Sequence, residues 1–165
     1  MGKYAKLTSA VLFIVYILIT FYFTNISIEV FEISGLNEFL KELHAIFDDI
    51  SNKMLIAILS AIATFIIIIS FLVQFIIAKF LLMIFFPNIK SDLSLILAPK
   101  IFIAINNILF IQIGEIYNSS FYTFTAFIGS FLILFLFQYN VRNWKASILF
   151  ATPFIADPLF SLVTI

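Results

Sequence analysis

Apolar residues run through this chain in long blocks separated by short polar breaks, and the block at 54–86 is the longest. Its 33 residues include one ionisable side chain, Lys79, and one amide, Gln74. A helix of that composition has no polar face to turn to water, so lipid or protein must surround it. At helical rise it extends about 50 Å against a hydrocarbon core of about 30 Å. Two crossings would need about 34 to 40 apolar residues and a turn, and no Gly or Pro interrupts the block. The pattern predicts one crossing over 54–78, with the part beyond Lys79 emerging as an extension or bend along the surface and Pro87-Asn88 as the stop.

Four further blocks predict four further spans. The first, 7–24, carries Tyr16 and Tyr22 in its second half, where amphipathic rings suit the headgroup level. Lys3 and Lys6 precede it in the manner of a signal peptide, but Thr24-Asn25-Ile26-Ser27 supplies no small-x-small cleavage site, so it reads as a retained span. Lys6 also breaks the myristoylation pattern that Met1-Gly2 invites. The block 93–114 is interrupted by Pro99-Lys100 and Asn106-Asn107, and the proline suggests that 93–98 lies at the interface or is kinked away from the rest. Blocks 121–139 and 146–165 follow, the last containing Pro153, Asp157 and Pro158. The predicted fold class is all-α: a polytopic integral membrane helical bundle of about five transmembrane helices, forming one membrane domain over 1–165.

Between the first two spans lies the only long polar segment, 25–53. Within it Leu36, Phe39, Leu40, Leu43, Ile46, Phe47 and Ile50 recur at three- and four-residue steps, predicting an amphipathic helix over 34–50 that Ser34 can cap. Its polar face is mostly acidic, with Glu38, Glu42, Asp48 and Asp49, which disfavours an anionic lipid surface and favours packing as a lid on the span bundle. Leu36, Phe39, Leu43 and Phe47 are its candidate interaction face.

Composition agrees with burial in lipid: hydrophobic residues make up 64% and charged residues 11%, too few charges for the surface of a soluble globule of this size. Heavy use of Ile, Phe, Asn and Lys is typical of an AT-rich bacterial genome. The net charge is zero, but position segregates it. With a cytoplasmic N-terminus, Lys3, Lys6, Lys79, Lys90, Lys100, Arg142 and Lys145 fall on or near the cytoplasmic side, leaving Lys41 and Lys53 outside. The acidic segment, Glu115 and the C-terminus then face out. The sequons at Asn25 and Asn118 also fall outside, and so short a pattern does not imply glycosylation.

Catalytic chemistry has little to work with. His44 is the single histidine and there is no cysteine, so no zinc set, thiolate nucleophile or nucleophile–base pair can be assembled around it. No glycine-rich phosphate loop, calcium loop or basic stripe occurs, so no cofactor, nucleotide or nucleic acid is expected on this chain. What remains is polar material within apolar spans: Gln74, Lys79, Lys100, Asn106, Asn107, Gln112, Gln138 and Asp157. Lysines can snorkel to headgroups and amides can join helices. Asp157 is different, because at about 18 Å along the fifth span its short side chain reaches neither surface. Lys100, about 12 Å into the third span, is its candidate partner in an intramembrane pair. The competing reading is that Pro153 and Pro158 break the span, so that Asp157 caps a short final turn or meets water near the outer surface.

The long span ending Ala78-Lys79-Phe80-Leu81-Leu82, the polar turn 88–92, the segment 93–100, and Asn143-Trp144-Lys145-Ala146 before a last span with Pro153 together resemble the membrane domain of the Yip family. The likeness covers about 56–165. It implies a five-span topology with the N-terminus in and the C-terminus out, while the long cytosolic N-terminal region of the trafficking members is missing. Some bacterial relatives accompany ABC transporters that export or give resistance to toxic peptides. The resemblance therefore implies a non-enzymatic accessory membrane subunit in the bacterial cell membrane, in contact with lipid and partner subunits. Two other classes stay open: a stand-alone immunity protein against a membrane-active peptide, whose charge the acidic helix would attract, and a small transporter or channel.

Overall fold

The computed structural model describes residues 3–30 and 51–163. The amphipathic segment 34–50, with Leu36, Phe39, Leu43 and Phe47, lies outside the described residues. Five helices and no strand occur among the described residues: α1 (Lys3–Val30), α2 (Asn52–Phe85), α3 (Ser94–Gln112), α4 (Ser119–Val141) and α5 (Trp144–Val163). The all-α class is therefore realised. Four stretches, Leu7–Val30, Asn52–Phe85, Ser94–Gln112 and Ser120–Val141, are long and apolar enough to cross a membrane. The fifth helix carries Lys145, Pro153, Asp157 and Pro158.

Helix ends follow local chemistry. Ser51 is extended, with φ −66° and ψ 149°, and its hydroxyl accepts from the Met54 N–H at 3.4 Å, starting α2. At the other end the Phe86 N–H donates to the Leu82 carbonyl at 2.7 Å and Pro87 stops the helix. Past Lys79 the helix continues as an extension and does not bend, with Leu82 buried in the core. With no Gly or Pro to bend it, α2 continues as one helix of 34 residues, about 51 Å long. Helix α1 likewise runs beyond the expected limit at 24, because Ile26 is buried against Ile108, Ile111 and Tyr122.

Asp92 organises the turn between α2 and α3. Its Oδ1 accepts from the Ser94 N–H at 3.1 Å and from the Ser9 hydroxyl of α1 at 2.8 Å, so one carboxylate caps α3 and ties it to α1. Residues before Pro99 are not kinked away: Ile96 and Leu97 are fully buried. As the sixth residue of α3, Pro99 forfeits one backbone bond while the packed side chains hold the turn in place. Between α3 and α4, Gly114 passes so close to the Phe110 carbonyl that a Cβ would sit 2.9 Å from it. Asn118 then caps α4 by accepting from the Ser120 N–H at 2.9 Å. Arg142, left-handed at φ 55°, ends α4, and Asn143 Oδ1 accepts from the Ala146 N–H at 3.2 Å to start α5.

Each helix packs mainly on two others: α1 on α2 and α3, α3 on α4, α4 on α5, and α5 back on α2. The five close into a ring. Its interior toward the Lys90 turn is filled by a column of rings drawn from four helices. Tyr16 lies 5.2 Å from Phe71, Phe71 6.4 Å from Phe154, Phe154 6.0 Å from Phe150, and Phe150 stacks on Phe137 at 4.1 Å. Nearer the Glu115 turn the helices meet through polar groups. Thr24 and Thr64 hydroxyls are 2.9 Å apart, Asn25 Nδ2 donates to Ser60 Oγ at 3.3 Å, and Gln112 Nε2 donates to the Tyr22 hydroxyl at 2.8 Å.

Helix α5 runs unbroken through both prolines, so Asp157 does not cap a separate final turn, and its side chain is exposed. The carbonyl that Pro158 leaves without its helical donor is that of Phe154, four residues earlier. Ser130 of α4 donates to that carbonyl at 2.6 Å. A neighbouring helix thus repairs the gap.

Candidate functional site

Where the aromatic column gives way to the polar seams lies a partly open cavity of about 120 Å³. Helix α1 contributes Tyr16, Thr20 and Phe23, positions that share one face at steps of four and three. Helix α3 contributes Lys100, Ile103, Ala104 and Asn107 on the same rule, with Ile67 of α2 and Ala126 and Gly129 of α4 completing the wall. Small residues make the space: a Cβ on Gly129 would already press to 3.0 Å from Ile103 Cγ1.

The polar lining is poorly matched to itself. Thr20 and Asn107 are 4% and 5% exposed, yet neither Thr20 Oγ1 nor Asn107 Oδ1 has a hydrogen-bond partner. Most hydroxyls in these helices bond their own carbonyls, as Ser27 does to Phe23 at 2.8 Å and Thr125 to Tyr122 at 2.9 Å, so Thr20 is an exception. Leaving such an atom unmet costs roughly 1–3 kcal/mol.

Lys100 lines the cavity, and Asp157 on α5 is near enough for its charge to act on the ammonium. The two residues paired on sequence grounds thus belong to one electrostatic neighbourhood. Asp157 itself is exposed at the helix surface and does not line the cavity. The other candidates are dispersed. Lys79 is exposed and, with Lys90 and Ser91, borders a groove of about 320 Å³ beside the α2–α3 turn, floored by Leu82, Met83, Pro87 and Ile89. Asn106 turns back on its own helix, donating to the Phe102 carbonyl at 2.7 Å, and Gln138 accepts from Ser147 across the α4–α5 hairpin at 3.0 Å.

The chain matches no known family model, no curated protein and no solved structure. Its function must therefore be argued from its own residues. Among the described residues no cluster of three or more His, Cys, Asp or Glu side chains is placed to hold a metal ion. Of the cavity's polar residues, Lys100 and Asn107 stand out in the sequence as polar groups in an apolar block. Thr20 does not, because threonine is common in such blocks and only the missing partner marks it.

One more polar group lies off this site. On the flank of α2, Gln74 Nε2 donates to the exposed Ser70 hydroxyl at 3.4 Å, while Gln74 Oε1 has no hydrogen-bond partner. The residues around the pair, Ile66, Ile69, Val73 and Ile77, are exposed and apolar.

Proposed function

We propose that this chain is a non-enzymatic accessory subunit of a bacterial membrane complex, in the first place a transporter. The observation that carries the reading is the Ser70–Gln74 pair. A hydroxyl and an amide on the flank of the longest apolar helix are costly against hydrocarbon, and polar side chains there typically join helices. A second membrane protein laid along α2 would cover the exposed Ser70 hydroxyl and the exposed apolar residues around it. The Yip-like pattern of the second half supports the same class, including an ABC exporter handling or giving resistance to toxic peptides.

Orientation follows from charge. Lys79, Lys90, Arg142 and Lys145 gather toward the end of the bundle that holds the α2–α3 and α4–α5 turns, while Glu29, Lys53 and Glu115 belong to the other. The positive-inside bias supports a cytoplasmic location for the first end and an extracytoplasmic one for the second.

Purification from native membranes in mild detergent tests the reading. A stoichiometric membrane partner should co-purify with the parent and be lost from Gln74→Leu, while the variant itself stays monodisperse. A parent chain that purifies alone, or that protects a sensitive strain from a membrane-active peptide with no other component, overturns it.

A further inference from the structure

The cavity at Lys100 poses a problem that the accessory role does not address. Four polar side chains, Tyr16, Thr20, Lys100 and Asn107, line one space, and Thr20 and Asn107 are nine-tenths buried with an atom left unpaired. The occupant must meet the chemistry of Lys100, Thr20 and Asn107 beside the Tyr16 hydroxyl, which lies close to Thr20. Asn107 Oδ1 only accepts, so it needs a donor; Lys100 only donates, so it needs an acceptor; Thr20 can do either. An apolar molecule satisfies none of them. A metal cation is repelled by the ammonium and finds no carboxylate in the lining, while an anion would face the Asn107 carbonyl oxygen and a lysine on which Asp157 already acts.

We propose that the cavity is a water-binding site, in which a small cluster of waters donates to Asn107 Oδ1 and Thr20 Oγ1 and accepts from Lys100. The space of about 120 Å³ is large enough for a small cluster of waters. The cluster spans the seven residues from Lys100 to Asn107, about 10 Å along α3 and roughly a third of a hydrocarbon core. It solvates a lysine inside an apolar ring and lets its protons exchange there. The small side chains at Ala104, Ala126 and Gly129 help keep the space open.

Because the chain has no cysteine, single-cysteine labelling in proteoliposomes reads this site directly. Ala104 lines the cavity and the adjacent Ile105 is exposed on the outer face of α3. Thiols react as thiolates and need water to form them, so Ala104→Cys should label with a small hydrophilic methanethiosulfonate about tenfold faster than Ile105→Cys. Adding Asn107→Leu, which fills the space, should remove that advantage. Equal rates for the two cysteines overturn the proposal. Thr20→Val, of the same shape, gives a second readout by thermal unfolding of the full chain in detergent. Removing a hydroxyl from a wet site should lower Tm, whereas removing an unmet hydroxyl from a dry one raises it, and a rise overturns the proposal.

Discussion

The α4–α5 and α1–α2 seams join neighbouring helices with rings and hydroxyls in different proportions. A two-residue turn connects α4 to α5, and rings carry their contact: Phe137, Phe150 and Phe154 are all 0% exposed. Helices α1 and α2 are linked only through residues 31–51, and toward the Glu115 turn they meet through Thr24, Asn25, Ser60 and Thr64. Lipid tails are as apolar as phenylalanine, so burying rings in a membrane gains close packing more than escape from water. Shape holds the aromatic seam. The hydroxyl seam is held by register, because sliding one helix by a residue would part every donor from its acceptor.

The strongest way to break the contrast is to empty the aromatic seam. Phe150→Ala should destabilise the chain by about 3 kcal/mol, within the usual range for a buried phenylalanine, measured by unfolding in detergent. Phe135→Ala on the exposed face of α4 should change little, and equal losses would mean that the buried column contributes nothing special. Next in size is Ser130→Ala, which strips the Phe154 carbonyl of its donor. About 1–2 kcal/mol should be lost, with faster hydrogen exchange concentrated in the second half of α5. Smaller still, Thr64→Val should cost about 0.6 kcal/mol, and the double change with Thr24→Val should cost less than the two single changes summed. Additive losses in that cycle would show that the two hydroxyls act separately. Tyr22→Phe, which removes a partially exposed hydroxyl from Gln112, should stay within about 0.5 kcal/mol by the same assay.

How far the chain could be read in advance also divides along these seams. Helix existence follows from apolar blocks and their stops, and Pro87, Asn118 and Asn143 stand at helix ends in the structure. These are local signals. Ends fixed by distant contacts were harder: α1 outran its expected limit because Ile26 finds Ile108 and Ile111, and α2 kept its last turns because Leu82 is buried in the core. Asp92 sits in a turn that any polar residue could occupy, and its bond to Ser9 depends on packing between helices far apart in the chain. Lys100 and Asn107 were visible as polar groups in apolar surroundings. Their convergence with Thr20 was not, since it needs the rotation of α1 against α3, which periodicity within either helix leaves open.

Closure of the ring also fixes an order of events at the ribosome. Helix α5 is made last of the five, yet it supplies the wall against which Phe71 packs. At about 5–20 residues per second, translation from the end of α2 to the end of α5 takes roughly 4 to 16 s, during which Phe71 has Tyr16 of α1 but not yet Phe154 to pack on. The late arrival is also the helix that carries Asp157 and two prolines. By then α4 already presents Phe137 and the Ser130 hydroxyl, which match Phe150 and the carbonyl freed by Pro158. The early helices therefore serve as the folding template for the one that completes them.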